Sequence, residues 1–441
     1  MRRILVLTSI ERAFYSSTVE YQLFDPIAEV SKISKNKFMY IGFVPITFWM
    51  SRQEPFKSFV LYRRYRQRIR QFLHTCGIRC RFIPIFFPVR HKDFYLRIPW
   101  LILYVLNTLP LLIYFILFYR INLIHARNYP AGLLCFLVRC VLGTPYIFDM
   151  RDLYPEKGVE AGVFGKLEYQ ISTPKYRSGW SYRVWKFIEI NLLRGSNFVI
   201  VTSTPFYEYI EAKMHNLLHL VDHSYYPKIQ IIPNCVNTER FKPNPTKRKS
   251  VRTHYEIDNK FVLIHSGAFG TSQDIHIVGK YFLKWKSLMR DIGREAHLVI
   301  LYGMKKMVPY LHMVLESVGI YREDYTIISA QPVEVPYLLL LGDVGLHLET
   351  MAIATPYCIA VKDGEYLAAG LPVIVTSWLK GIAHLVEKYE AGIVVNPLDD
   401  DFTKERMLLN AYKDMREGGI RLVKEYLSLG NSVKQFVELY Q

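Results

Sequence analysis

Residues 362–374 read KDGEYLAAGLPVI, and the fold follows from how this stretch is built. A short helix carries Lys362 and Glu365 near its start, Gly370 ends it, and an apolar strand follows at once. Glycine closes a helix in a left-handed turn without a Cβ penalty. A helix that hands the chain straight to a buried strand is the recurring step of a parallel α/β sheet.

The same alternation extends in both directions. In the second half, strand candidates fall at 261–266, 297–302, 325–329, 343–348, 372–376 and 392–395. Helices are expected at 277–290, 307–318, 332–341, 362–369 and 404–417, with one or two more over 420–441. In the first half, strand candidates are 3–8, 37–44, 81–87, 121–125, 145–149 and 198–202, with helical stretches between most of them. Trp185, Ile188 and Leu192 recur at helical spacing within 182–193. Between the halves, IQIIPNCVNTERFKP at 229–243 ends a strand and enters a proline-rich basic stretch reaching Lys249, where a domain boundary is expected. The chain of 441 residues suits two such domains and is too long for one ordinary core. The reading is an α/β protein of two Rossmann-like parallel-sheet domains facing a cleft. They span 1–235 and 236–420, with helices over 421–441 packing back toward the first domain. Ligands of such sheets lie outside the carboxyl ends of the strands, so chemistry is sought in those loops.

Net charge is +17, and residues 1–120 carry 19 Lys/Arg against 6 Asp/Glu. A basic excess in one region points to an anionic partner. Its densest run is RRYRQRIR at 63–70. Read as a helix, it lays Tyr62, Tyr65, Ile69 and Phe72 or Leu73 on one stripe and arginines on the other faces, a pattern that suits anionic headgroups or a solvated basic helix. Residues 98–118 (IPWLILYVLNTLPLLIYFILF) contain no charge and pass the length test for a membrane span. A span would put strand candidates of one sheet on opposite sides of a bilayer. Pro110 is also expected to divide the segment into two apolar helical pieces lying in, or dipping into, one leaflet. A buried core helix and a true span stay open as alternatives. The start, MRRILVLTS, reads as a first buried strand rather than a signal, because Glu11 and Arg12 interrupt the apolar run. Six cysteines without a CxxC pair read as reduced thiols of a cytoplasmic protein.

Several chemistries find no motif: there is no HExxH, no Walker loop, no GxSxG and no strand-terminal DxD, so a metal or other cofactor is not implied. Nor is there a single-strand-binding motif, and nucleic acid is not expected as a partner. What remains is carboxylates and cations at strand ends. Glu365 can accept two hydrogen bonds from a ribose diol, and the helix start beside it offers free N–H groups to phosphate oxygens. A capped helix with a surface carboxylate is the plainer alternative. On the first half, His125-Ala126-Arg127 and Phe148-Asp149-Met150-Arg151-Asp152 follow strand candidates, with Glu156 and Glu160 soon after. Such a group suits neutralisation of a phosphate and handling of an acceptor hydroxyl, or else a network that fixes a loop.

The 362–374 stretch resembles the nucleotide-sugar site of the fourth family of retaining GT-B glycosyltransferases, whose glutamate-containing motif ends in a similar EYLAAGLPVI string. Three further stretches carry the likeness: IIPNCVNTERF at 231–241, HSGAFG at 265–270, and the glycine turn at Gly381 in WLKGIA. The DMR-x-x-x-x-E pattern from Asp149 to Glu156 resembles a bacterial subgroup found with surface-polysaccharide enzymes. The resemblance implies that Glu365 binds the donor ribose. It puts Lys362 near the donor sugar or phosphates, and the small residues Gly267 and Gly270 let backbone approach a diphosphate. Asp149, Arg151, His125, Arg127 and Glu156 would then be catalytic candidates, with Glu160 on the acceptor side. The chain departs from the family's pattern at Tyr357, where a second Glu usually stands. It also departs at Ala268 and in the absence of a following Lys before Lys280, and Asp149 occupies a position that is His in many relatives.

The expectation is therefore a metal-independent, retaining glycosyltransferase of the GT-B fold. It would take a nucleotide-sugar donor and a lipid-linked or oligosaccharide acceptor, and would lie peripherally on an anionic membrane surface at the inner face of the cell membrane. Cell-surface polysaccharide or lipopolysaccharide assembly is the implied pathway. A nucleotide-sugar epimerase of the same fold and a non-catalytic membrane-associated scaffold are the competing readings.

Overall fold

The computed structural model describes residues 1–9, 19–47, 55–87, 98–160, 165–168, 175–218, 227–269 and 273–441. The chain forms two compact units: Met1–Ile232 together with Val433–Gln441, and Pro233–Ser432.

The first unit is built on a parallel sheet of β1 (Arg3–Ser9), β2 (Lys37–Thr47), β3 (Arg79–Phe87), β4 (Leu123–Arg127), β5 (Tyr146–Asp149), β8 (Phe198–Val201) and β9 (Lys228–Ile231), in the order β3-β2-β1-β4-β5-β8-β9. Strand order reverses between β1 and β4, the place where parallel sheets open a crevice at their carboxyl ends. An antiparallel pair, β6 (Gly165–Glu168) with β7 (Lys175–Ser178), lies apart from this sheet and has no counterpart in the sequence reading. The expected strand at 121–125 sits two residues later. The preceding helix ends at Tyr119, Arg120 takes a left-handed φ of 51°, and Asn122 uses its side chain to accept the Arg3 N–H at 2.9 Å. His125 and Arg127 are thereby strand residues rather than loop residues.

One helix, Ile98–Tyr119, runs unbroken through Pro110, where two pieces were expected. Proline removes one backbone hydrogen bond and crowds the carbonyl four residues earlier. Here Pro110 and Leu106, whose carbonyl loses its donor, both lie on the exposed face. The opposite face, Leu101, Tyr104, Thr108, Leu112 and Ile116, is buried and holds the two halves in line. The helix Pro55–Thr75 leaves Arg63, Arg66, Arg68 and Arg70 exposed while Ile69 and Leu73 are buried. Tyr62 and Tyr65, expected on the same apolar stripe, fall outside the described side chains.

The second unit carries β10 (Phe261–Ser266), β11 (Ala296–Leu301), β12 (Tyr325–Ile328), β13 (Val344–His347), β14 (Val373–Thr376) and β15 (Gly392–Val395), all parallel, in the order β12-β11-β10-β13-β14-β15. Alternate side chains divide between two cores. Val262, Ile264, Val299, Val373 and Val375 face one, while Leu263, Leu298, Ile300, Leu346 and Ile374 face the other. A sheet covered on both faces explains why these strands read as continuous apolar runs. The basic stretch after Asn244 forms the helix Pro245–His254. Its Arg248 and Arg252 grip Asp343 at 2.6 and 3.2 Å, and Asp343 also accepts the Val262 N–H at 2.7 Å. Beyond β15, the helix expected over 404–417 is divided at Ala411 into Thr403–Asn410 and Tyr412–Leu422.

Candidate active site

In the second unit, strand order reverses between β10 and β13, and polar side chains gather at the carboxyl ends there. The Val361–Ala368 helix brings four of them. Asp363 accepts the Ala360 N–H at 2.8 Å at the helix start and bonds His347 Nδ1 at 2.6 Å. His347, the last residue of β13, reaches Glu349 with its other nitrogen at 3.1 Å, and Glu349 also accepts from Gln273 Nε2 at 3.0 Å. Burial opposes charge on His347, but Asp363 raises its pKa above the ordinary imidazole value. Burial likewise opposes charge on Glu349, yet hydrogen bonding from His347, the charges of His347 and Lys362, and Gln273 hold it at about 2. Tyr366 lies flat enough against β13 for its hydroxyl to accept the Ser266 N–H at 2.6 Å. Position 345 has to be glycine for this, because a Cβ there would run into the Tyr366 ring.

Among the described residues, Gln273 Oε1 in this network is buried without a hydrogen-bond partner, and beside it stand further groups with nothing to bond. Glu365 is 7% exposed, and among the described residues no hydrogen bond or ion pair reaches its carboxylate. Burial, helped by Asp363, pushes its pKa up to about 7. Lys362 Nζ is buried without a hydrogen-bond partner, and burial lowers its pKa against the pull of Glu349 and Asp363. Both ring nitrogens of His265 and the Thr376 hydroxyl are buried and unbonded too. Burial, with Lys362 and His347 nearby, drives His265 well below the ordinary histidine value, so the ring is neutral. Gly267 follows β10 with φ 130°, a conformation that side-chain-bearing residues rarely adopt. Buried polar groups normally find partners inside the protein. A cation, a carboxylate and hydroxyl- or amide-like groups left unmet at one strand-end crevice are chemistry waiting for an anionic, hydroxyl-bearing ligand.

In the first unit, the ends of β4 and β5 form a second cluster. Asp149 is fully buried. It bonds His125 Nε2 at 3.2 Å and pairs with Arg151 Nε at 2.6 Å and with Arg127 at 3.8 Å. Burial alone would raise the Asp149 pKa, but Arg151, His125 and Arg127 hold it below the usual carboxylate range. His125 Nδ1 meets the Tyr440 hydroxyl at 2.6 Å, and Arg151 donates to the Ile232 carbonyl at 3.1 Å. Glu156 is elsewhere. The short helix Tyr154–Glu160 turns it toward Lys186, which bonds Glu156 and Glu189 at 2.7 Å each, with Lys213 and Tyr129 completing a buried network on Glu189. Burial and the charge of Lys186 lower the Lys213 amine to about 6.

Residues 58–216 match the family model described as a glycosyl transferase 4-like domain. No curated protein sequence matches the chain. Among solved structures, Anabaena HepE in complex with UDP-glucose shares 13% identity at a TM-score of 0.63, covering 100% of this chain and 99% of that one. A glycosyltransferase from Rickettsia africae shares 16% at 0.61 over 100% and 97%, and sucrose-phosphate synthase from Thermosynechococcus elongatus shares 14% at 0.65 over 100% and 98%. The fold is GT-B.

Within this GT-B frame the sequence-derived candidates fall into separate places. Lys362, Glu365 and Gly267 lie on the second unit's strand-end crevice. Gly270 lies outside the described residues. Gly381, expected in a turn before a helix, is the second residue of the helix Lys380–Tyr389. His125, Arg127, Asp149 and Arg151 cluster on the first unit. Glu156, expected among them, belongs to the Lys186 network, because its helix faces Trp180–Gly195. Glu160 ends its short helix, half-buried. His347, Glu349 and Asp363 were passed over. The available signal was a His and a Glu at the end of an otherwise apolar strand.

Proposed function

We propose that this GT-B chain is a glycosyltransferase that moves a sugar from a nucleotide-sugar donor to a lipid-linked or saccharide acceptor, with retention at the anomeric carbon and without a metal. The observation that carries the reading is Glu365. A buried carboxylate with no protein partner is costly, and it persists where a ligand supplies the missing donors. A ribose diol does so with two O–H groups. Lys362, equally unpartnered, supplies charge to the diphosphate, and Gly267 admits its oxygens to the backbone. The Anabaena neighbour is solved with UDP-glucose, which supports a uridine nucleotide as the first donor to try.

The first unit takes the acceptor in this reading. Asp149 and His125 are too enclosed to meet a substrate directly. Arg127 is as enclosed as they are, and the part of all three is to hold Arg151, the least buried of the cluster, whose positive charge answers phosphate. Membrane association at the cytoplasmic face, in surface-polysaccharide or lipopolysaccharide assembly, completes the proposal. It is supported by the exposed apolar stripe of Ile98–Tyr119 and the exposed arginines of Pro55–Thr75, helices that both pack on the edge strand β3.

The test is thermal stability against UDP, GDP, dTDP, CMP and their sugar conjugates. A ligand that binds only the folded protein raises Tm by mass action, about 2.7 kcal/mol at a hundredfold excess over Kd. One diphosphate family should stabilise the protein, and Glu365→Ala should weaken that effect at least tenfold while leaving the protein folded. Equal response in wild type and Glu365→Ala removes Glu365 from the site.

A further inference from the structure

Trp378 is the second residue after β14, half-exposed, on the same strand-end crevice as Lys362 and Glu365. Its indole Nε1 donates to the Glu349 backbone carbonyl at 2.8 Å, which ties the end of β14 to the end of β13 and fixes the ring. Among the described residues no aromatic ring stacks on it, although the molecule pairs its rings freely elsewhere. The Glu349 side chain beside this tie is held from behind by His347 at 3.1 Å and Gln273 at 3.0 Å. Its carboxylate is ionised and oriented, and it has acceptor sites beyond those two bonds. The unbonded Thr376 hydroxyl ends the same strand.

We propose that Trp378 and Glu349 form a subsite for a neutral hexose, with the sugar's C–H face against the indole and its hydroxyls donating to the Glu349 carboxylate. This rests on the donor-site reading and deepens it by saying which residues recognise the sugar itself. The chemistry is selective. A rigid indole offers a large apolar face at little entropic cost. An oriented carboxylate accepts hydroxyl hydrogens and repels a second carboxylate, so a hexose is favoured over a hexuronic acid. His347 and Asp363 are positioning residues. Asp363 holds His347, and His347 holds Glu349 in the geometry that leaves its remaining lone pairs available.

The experiment measures Kd by calorimetry for UDP, GDP and dTDP and for UDP-glucose, GDP-mannose, dTDP-glucose and UDP-glucuronate. It uses the full-length wild type, Trp378→Ala, Trp378→Phe and Glu349→Gln. In wild type the matching hexose conjugate should bind about tenfold more tightly than the bare diphosphate, the scale of an aromatic contact plus a charged hydrogen bond. Trp378→Ala and Glu349→Gln should each lose most of that increment while the diphosphate Kd stays within about twofold, which also shows that the variants are folded. Trp378→Phe should keep part of it, and UDP-glucuronate should gain nothing over UDP in wild type. The subsite is overturned if a diphosphate binds and the conjugate's increment survives both Trp378→Ala and Glu349→Gln. It is also overturned if both variants lose diphosphate and conjugate affinity equally. Wild type that binds none of the nucleotides overturns the donor-site reading itself, and the subsite with it.

Discussion

At the scale of single residues, Glu365 has a dual consequence for stability and binding. Its carboxyl titrates at about 7 in the folded chain against an ordinary 4.5. The folded state therefore binds more protons than the unfolded state between those values, and stability falls as pH rises from about 4.5 to about 7. The shift corresponds to roughly 3 kcal/mol lost by pH 8. Glu365→Gln removes the titration. The variant should be more stable than wild type in urea at pH 8, by up to that amount, and should converge with it near pH 4.5, while losing nucleotide affinity. A pH-independent difference would mean that Glu365 is already satisfied in solution. The residue was legible because the 362–374 stretch shows it on a helix leading into a strand. Its neighbours were not. His347 meets Asp363 across 16 residues of chain, and that meeting depends on how β13 sits beside the helix, which periodicity does not encode. Glu156 was misplaced for a related reason. Proximity in sequence put it with Asp149, while the turn of one short helix gave it to Lys186.

At the scale of elements, apolar runs located the strands of both parallel sheets to within a few residues and missed the β6–β7 pair, because a parallel sheet buried on both faces leaves little freedom in composition. Ile98–Tyr119 was harder. Pro110 argued for a break, and burial of one face outweighed it. The other face exposes Ile102, Leu106, Leu111, Tyr114, Leu117 and Phe118, with Leu106 at 66% and Phe118 at 63%. An apolar stripe of this length in water is a surface in search of cover. If it adsorbs to a bilayer, replacing Leu106, Leu117 and Phe118 by Ser should weaken binding to neutral and anionic vesicles alike, by roughly 1.5–3 kcal/mol per side chain that inserts. Replacing Arg63, Arg66, Arg68 and Arg70 by Gln should weaken binding to anionic vesicles only, by about 1 kcal/mol for each arginine at the surface, and should abolish most of the salt dependence. Vesicle flotation distinguishes the two. Unchanged flotation of the triple-Ser variant would return the stripe to ordinary protein surface.

At the scale of the whole molecule, the chain's last nine residues, Val433–Gln441, belong to the unit that its first 232 residues build. Helices over 421–441 were expected to pack back toward the first domain, but which side chain makes the contact could not be read from the sequence. Tyr440 meets His125 across 315 residues, and nothing in a terminal LYQ announces a buried tyrosine. Yet the contact is an integral part of the first unit's chemistry. The Tyr440 ring packs beside Phe436 and Phe38, its carbonyl accepts from Asn36 at 3.2 Å, and its hydroxyl bonds the nitrogen of His125 that Asp149 does not use. Tyr440→Phe keeps the packing and leaves His125 Nδ1 buried without a partner, which costs about 1–3 kcal/mol. Hydrogen exchange should report the loss as faster opening of β1, β4 and β5, with the amides of Pro233–Ser432 unchanged. A nucleotide should do the reverse, protecting β10, β13 and β14 and leaving the first unit's exchange as it was. If Tyr440→Phe instead loosened both units equally, the chain would open as one cooperative body, and the His125 cluster could not be tuned apart from the donor site. If it loosened neither, the Tyr440 hydroxyl would be exchanging its bond with His125 for water at no cost, and the C-terminal return would act through the packing of Phe436 and the Tyr440 ring alone.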